Sequence, residues 1–361
     1  MARKKRLTHR KQSKPYKAPD GVPTKEEWNT LEEFGRCVVT DEEEVEYKIG
    51  DVVFILPEGK VPGTDVPAEE YWLGKIKGIR GRRELDASQI WVHIQWYWSG
   101  KEVSSVIKSF PWKTCSNFER IFSDYHDYVP TQCLSGIATI KQYDERDTTQ
   151  DHLDDDDFFT RYTFEYKARK ISPKPASCIG LCGKPYNLKE VPIMHFCPRP
   201  TCKRAYHRAC LRERFCDPDE QDIGRRLMEN WPNTHRHRTI EDIISESSDQ
   251  PPSKRRKGNS TFTTRRISAS NALDEFPNEL IKVAQQPIIK GTGVPGGIVG
   301  NIKAVTIARG IIYDVLAHGG AIPDDWRSQM GLDLDGSTSS AQGIKSFPNK
   351  CFVCPECGSR I

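Results

Sequence analysis

The nine residues IWVHIQWYW, at positions 90–98, decide how the first half of the chain reads. Side chains of an extended strand point alternately to its two faces. Ile90, Val92, Ile94, Trp96 and Trp98 therefore share one face, and Trp91, His93, Gln95 and Tyr97 share the other. The aliphatic residues of the first set are expected in a core. Trp96 and Trp98 carry that face on to the strand end, where a core opens to solvent. Plain packing accounts for such a stripe. A box of ring faces around a quaternary ammonium accounts for it as well.

Working outward, YKIGDVVFILPEGK (47–60) and EYWLGKIKGIRG (70–81) alternate in the same way, with Trp72, Gly74 and Ile76 on one side of the second. The apolar segments FERIFS (118–123), LSGIATIKQY (134–143) and FFTRYTFEYK (158–167) follow, separated by glycine, proline and charge. Short strands so closely spaced predict a small, barrel-like all-β domain over 46–168. Before it, residues 1–45 read as a basic disordered tail. Arg3, Lys4, Lys5, Arg6, Arg10, Lys11, Lys14 and Lys17 stand there without an acid among the first 17 residues. A second basic run, PPSKRRKG, begins at Pro251 in a segment (217–275) too polar to bury a core, which is expected to be a disordered basic linker. Such runs suit nuclear import and weak contact with nucleic-acid phosphates. Against them stands the acidic DHLDDDDFF at 151–159.

Residues 276–331 differ again. PNELIKVAQQPII places Leu280, Ile281, Val283 and Ala284 at helical spacing, and NIKAVTIARGIIYDVLAHGG predicts a second helix closed by Gly319 and Gly320. The two make a helical hairpin joined by KGTGVPGGIVG. That turn lacks the Gly-Lys-Ser/Thr of a phosphate loop and reads as a connector.

The chain has 361 residues, 36% of them hydrophobic, and a net charge of +4. Its mean hydropathy of -0.65 fits folded modules strung between polar segments. No apolar run approaches the ~18 residues of a membrane span, and the start carries no secretory signal. The 12 cysteines are therefore expected to be reduced and clustered on metal rather than paired as disulfides. Cys178 and Cys182, then Cys197, Cys202, His207 and Cys210, then Cys351, Cys354 and Cys357 give closely spaced donors of the kind zinc takes. Eight ligands make two closed tetrahedral shells, which leave no position for an activated water, so both zincs are read as structural. No nucleotide loop or open metal triad stands elsewhere, and the His126–Asp127 pair has no nucleophile at a recognisable spacing. The chain is not expected to be an enzyme.

The order Cys, Cys, Cys, Cys, His, Cys, Cys, Cys, with Tyr206 before the histidine and FVCPEC at the close, resembles a PHD finger. The resemblance implies interleaved ligands: Cys178, Cys182, His207 and Cys210 on one zinc, and Cys197, Cys202, Cys354 and Cys357 on the other. The finger's first part is 176–216 and its last part 345–361, with the linker and the hairpin inserted between. Cys351, Cys216 and His195 are left over. The methyl-lysine readers of that family carry a tryptophan two residues before the ligand histidine. Ala205 stands there. Tyr186 and Met194 sit at other cage positions, so the finger is left to bind a peptide strand or to pack on its neighbours.

The ordered set YKIGDVVFI, YWLGKIKGI, WVHIQWYW, FERIFSDYHDYVP, LSGIATI and DDFFTRYTF resembles a BAH (bromo-adjacent homology) domain over about 120 residues. BAH followed by PHD is an arrangement of chromatin proteins, including plant and fungal readers of Polycomb-type repressive chromatin. The resemblance implies a nuclear protein that contacts the histone H3 tail and chromatin complexes, with no membrane partner. It also implies a trimethyl-lysine cage at Trp72, Trp96 and Trp98, with Asp127 in a loop lining the same pocket. The other open reading is a BAH–PHD interaction scaffold in which those indoles only pack.

Overall fold

The computed structural model describes residues 21–40, 44–60, 66–82, 90–175, 177–190, 193–199, 201–211, 213–215, 273, 275–291, 294, 296–318, 321–331, 350–358 and 361. The linker expectation, most of the basic tail, Cys216, Gly319 and Gly320 lie outside them. The chain divides into two compact units. The first comprises 1–143 with 154–175, and the second 144–153 with 176–361.

The first unit is a β unit. Its strands are β1 (Glu32–Phe34), β2 (Arg36–Thr40), β3 (Glu44–Lys48), β4 (Val52–Ile55), β5 (Trp72–Gly81), β6 (Ile90–Ser99), β7 (Arg120–Pro130), β8 (Leu134–Ile137), β9 (Lys141–Gln142), β10 (Phe159–Thr160), β11 (Thr163–Glu165) and β12 (Lys170–Ser172). The main sheet runs β12-β11-β7-β6-β5-β4-β8, with β1 on the far half of β5. The sequence predicts a barrel, but the path does not close among the described residues. Its terminal strands β12 and β8 are three and four residues long and do not pair with each other. A further correction concerns the tail. Residues 24–40 are folded: helix α1 (Lys25–Thr30) starts with a Thr24/Glu27 capping box, buries Trp28 and stacks it on Tyr128 at 4.6 Å. Five charged or polar residues hide one buried aromatic there, which is why the segment reads as tail.

β6 is the centre of the sheet, between β5 and β7. Val92, Ile94, Trp96 and Trp98 are buried along it, as the alternation predicts, and the residues between them are half-buried. Two features shape the sheet on either side of Trp96. Gly74 stands across the ladder from Trp96, and a Cβ there would overlap Ile94 Cγ2 and lie 3.1 Å from Ile55 Cδ1. On the other side the register slips between Gln95 and Tyr97, so that Ser123, Asp124 and Tyr125 bulge opposite Trp96. Gln95 Nε2 pins the bulge by donating to the Ser123 carbonyl at 2.8 Å. After Trp98 the chain turns straight into helix α2 (Gly100–Val106). The signal for it is Ser99-x-x-Glu102, a capping box in which Glu102 also accepts from Ser99 N at 2.8 Å.

β11 joins β7 in parallel. A buried ion pair fastens this crossover: Arg161 Nε and Nη2 donate to the two Glu119 oxygens at 2.7 and 3.1 Å, both side chains almost wholly buried. The fork geometry satisfies both charges at once, which a buried pair requires.

The second unit holds β13 (Met194–Cys197), β14 (Arg204–His207), β15 (Glu213–Phe215), β16 (Ile289–Lys290) and β17 (Lys350–Phe352). Its helices are α3 (Asn278–Ala284), α4 (Ile302–His318) and α5 (Trp326–Gln329). β14-β13-β16 form one sheet, and β15 pairs with β17. The helical pair stands where the periodicity puts it. Buried Arg309 of α4 donates to the Ala284 and Gln286 carbonyls at 2.8 and 3.0 Å, satisfying the open end of α3. No described helix is long and apolar enough to cross a membrane.

Two outcomes test this packing. Gly→Ala in a strand relieves about 0.5–1 kcal/mol of backbone entropy cost, but overpacking costs about 1–3 kcal/mol. Gly74→Ala is therefore expected to lower unfolding stability in urea titration, and a variant as stable as the parent would refute the tight approach of Ile94 and Ile55 to β5. On the opposite face of β6, burial and then the neighbouring His126 push His93 down to about 4. The rings lie 4.8 Å apart. A folded-state value below the unfolded ~6.5 makes His93 stabilising above pH 6.5 and progressively less so down to pH 4. Thermal midpoints of His93→Gln are expected to fall less than the parent's across that window.

Candidate functional site

The β unit gathers its aromatics at one end of β5 and β6. Trp72, half-exposed at the start of β5, meets buried Trp96 edge to face, with centroids 6.5 Å apart at 86°. Trp98 meets Tyr125 at 5.7 Å and 89°, Phe164 at 5.5 Å and Tyr166 at 5.6 Å. Tyr125 and Tyr166 lie 4.7 Å apart. The β7 bulge aims Tyr125 here, and its exposed Asp124 accepts from Tyr166 N at 2.6 Å, which fixes the second ring. Neither tyrosine is among the residues expected from sequence. The signal for Tyr125 would have been a bulge, which leaves no trace in an alternation pattern.

Asp127 is placed differently from the expectation. It lies within β7 opposite Ile94, not in a loop. Its neighbourhood to the cluster is kept. Burial first, and the Asp127 charge second, push the Tyr125 phenol up to about 12. Asp127 Oδ1 accepts from Tyr128 N at 3.0 Å.

Trp96 and Trp98 are 1% and 2% exposed. Their indole N–H groups are buried with no acceptor among the described residues. A buried donor left unpaired costs about 1–3 kcal/mol. Phenylalanine would fill much of the same volume without that cost, so packing alone does not explain the choice of tryptophan. A cavity of about 540 Å³ opens at Trp72, lined also by Tyr71, Tyr97, Glu69, Glu70 and Arg120 among others. Of the four expected cage residues only Trp72 lines it; Trp96, Trp98 and Asp127 do not. In this conformation the rings pack against one another edge to face or tilted, and a cation enters between them only if Trp72 or the tyrosines move aside.

In the second unit the eight expected metal ligands form two clusters. Cys178, Cys182, His207 and Cys210 make one, and Cys197, Cys202, Cys354 and Cys357 the other, with donor atoms within 4.8 Å of one another in each. The sets are those the interleaved order implies. His195 belongs to neither: it is buried in β13 against Phe352 at 4.5 Å. Cys351 lies in β17.

The chemistry of the donors fits a divalent cation. Cys197 and Cys357 sulfurs lie 3.5 Å apart, and Cys202 and Cys354 3.6 Å. Thiolates so close repel. Hydrogen bonding among the sulfurs and burial hold the Cys197 thiol well above its ordinary range, while Cys354, accepting from Cys197 and Cys202, comes down to about 6. A central zinc would remove the repulsion and let all four ionise. In the other cluster His207 Nδ1 lies 3.4 Å from Cys182 Sγ. The same ring hydrogen-bonds the Pro185 backbone, the outer contact that orients a ligating imidazole.

A scan against protein-family models finds no match, and a search of curated proteins finds none either. Among solved structures, the chain is similar to the crystal structure of the yeast Rsc2 BAH domain at 10% identity and a TM-score of 0.26. The likeness covers 38% of this chain and 53% of that one, and a score so low assigns no fold.

Metal content checks the two clusters. The purified chain is expected to carry two zinc equivalents, and a strong chelator to remove both and melt the second unit's short strands. Cys197→Ser should lose one equivalent and keep the other. A parent chain with one equivalent or none would count against the pair of shells.

Proposed function

We propose that the chain is a non-enzymatic nuclear chromatin reader. Its β unit would receive a trimethylated lysine of the histone H3 tail, of the Polycomb-type repressive class, and so recruit or stabilise repression. The finger-like second unit would be held by two structural zincs. One observation carries the reading: Trp72 and Trp96 stand perpendicular at 6.5 Å, with Trp98, Tyr125 and Tyr166 beside them and the Asp127 carboxylate next to Tyr125. Perpendicular rings are the walls of a box, and ring faces attract a methylated ammonium with about 0.5–2 kcal/mol per contact. The nearby carboxylate adds charge complementarity. Trp72 is the movable wall, because it alone of the three indoles is partly exposed and borders the cavity. The BAH resemblance of the ordered segments supports the same assignment, and the basic tail and linker suit weak contact with nucleic acid.

The near-complete burial of Trp96 and Trp98 favours a second reading, in which these indoles only pack and the chain is an interaction scaffold of a chromatin complex. Titration of the full chain with H3 peptides separates the two. On the reader hypothesis, the trimethylated peptide binds at least tenfold more tightly than the unmodified one, and Trp72→Ala abolishes most of that difference with little change in thermal midpoint. Trp96→Phe weakens binding several-fold. If the two peptides bind alike, or if Trp72→Ala keeps the parent's preference, the cage is wrong and the scaffold reading stands.

A further inference from the structure

The face of β5, β6 and β7 turned away from Trp96 and Trp98 carries a different chemistry. Register across the three strands sets it out in rows. Lys75 stands opposite Gln95, and Gln95 opposite His126. Gly78 stands opposite His93, and His93 opposite Tyr128. The β5 ladder slips between Ile76 and Gly78, and Lys77 is the extra residue at the slip. Lys77 and His126 are exposed, and Lys75 is half-buried. One end of the face is closed. There Trp28 of α1 stacks on Tyr128 at 4.6 Å and meets His93 at 6.0 Å, while Arg80 lies over the Trp28 ring and pairs with Glu33.

At the open end the charges do not balance. Lys75 and Lys77 form no ion pair among the described residues. Lysines that served only the sheet would gain from carboxylates across the strand, but the row of Lys75 continues with Gln95 and His126. Gln95 Nε2 is committed to the Ser123 carbonyl, and Asp124, whose charge reaches His126, accepts from Tyr166 N at 2.6 Å. The imidazoles register the excess of positive charge. Burial first, and then His126, Lys77 and Arg80, bring His93 down to about 4. Burial first, and then Lys77, hold His126 below its ordinary range. The two rings lie 4.8 Å apart, tilted by 39°, so the exposed His126 ring is backed by a second one. Two ammoniums without a counter-charge, beside an exposed and supported ring, suit a nucleic-acid strand. Lysines take phosphates, and a planar ring takes the face of a base. A base inside a duplex has both faces covered, so the ring favours an unpaired strand. An acidic peptide would use the lysines and leave the ring idle.

We infer that the open end of this face, formed by Lys75, Lys77 and His126, is a contact surface for single-stranded nucleic acid. The two ammoniums take phosphates, and the His126 ring stacks on an unpaired base. The surface lies across β6 from Trp96 and Trp98 and does not rest on the trimethyl-lysine reading. It is also distinct from the basic runs at 3–17 and 254–257.

The probes are a labelled RNA of about twelve nucleotides, roughly the span of one small β module, and a DNA of the same sequence. Each is titrated by fluorescence anisotropy into the full zinc-loaded chain over a salt series. The parent is expected to bind; binding of either strand supports the inference, and the pair distinguishes the sugar. Lys75→Gln with Lys77→Gln should weaken binding at least fivefold near physiological salt. It should also lower the slope of log K against log salt by about 1.4, since each lost single-strand phosphate contact removes about 0.7. Lys75→Arg with Lys77→Arg should keep the parent's affinity, and equal thermal midpoints show that the glutamine pair loses contacts rather than fold. His126→Ala should weaken binding several-fold with the slope unchanged, and His126→Phe should restore it. Lys108→Gln with Lys113→Gln removes the same charge from exposed positions elsewhere on the unit and should leave affinity within twofold. The inference is overturned if the parent binds neither strand, or if this control weakens binding as much as the 75/77 pair. It is overturned as well if His126→Phe binds no better than His126→Ala, or if a polyglutamate of equal charge competes as strongly as unlabelled RNA.

Discussion

Two indoles side by side on one face of β6 set the terms for the whole β unit. Each must bury about 150–250 Å², more than the aliphatic residues before them on the strand. The sheet is shaped on both sides of Trp96: Gly74 stands opposite it on β5, where a Cβ would overlap Ile94 Cγ2, and the β7 bulge sets extra backbone on the other. The bulge in turn brings Tyr125 and Asp124 to the cluster, and Asp124 ties down Tyr166 and with it the last parallel strand. The same side chains that cover Trp98 therefore also complete its ring of aromatics. Packing and recognition are not competing uses of these residues: the walls of a box have to be held rigid, and a covered indole is a rigid one. On the proposed reading, recognition would add a wall that can move, and Trp72, half-exposed at a strand start, would be that wall.

The second unit depends on a different kind of constraint. Its strands are two to four residues long and the core around them is built largely on the clustered cysteines, so part of its stability is expected to come from the metal shells. Interleaving makes the shells topological as well as local. One takes its ligands from 178 to 210, while the other joins 197 and 202 to 354 and 357. With metal bound, the chain between Cys202 and Cys354 would be a closed loop. Closure entropy rises only as the logarithm of loop length, so a loop this long costs little more than a short one. Pairing of β15 with β17 and of β13 with β16 divides it into shorter spans.

The parts legible in sequence were those governed by a period or a spacing. Alternation gave the buried face of β6, helical periodicity gave α3 and α4, and the order of cysteines gave the two donor sets. The rest was decided by contacts that no local pattern encodes. Tyr125 and Tyr166 reach Trp98 through a bulge and a single carboxylate, and Asp127, which the resemblance put in a loop, stands within β7. α1 was hidden for a similar reason: its one buried side chain, Trp28, finds its partner Tyr128 across the sheet, a hundred residues away. The open sheet differs from the expected barrel because closure depends on the lengths of the two terminal strands, and those are set by where the chain leaves the sheet. The Ser99–Glu102 capping box, by contrast, was available in the sequence and would have placed α2.

The glycine-rich turn joins these levels. As a sequence it resembles a phosphate loop only loosely; as a structure it is a brace across the back of β16. An unpaired strand edge invites whatever extended chain is near, and β13 has its outer edge covered by two residues of the insertion. Two residues are few for a strand, and these are held both by the sheet and by the clamp at Asn301, whose Oδ1 accepts from Ile289 N. The second of them, Lys290, is buried with its ammonium 3.7 Å from Glu145 and 4.6 Å from the centroid of the Tyr186 ring. A buried ammonium, a glycine at 300 where a Cβ would overlap the Ile289 carbonyl, and an asparagine whose side-chain oxygen and nitrogen are both committed are three separate restrictions on sequence. All three serve the same short segment, which fixes the insertion to β13.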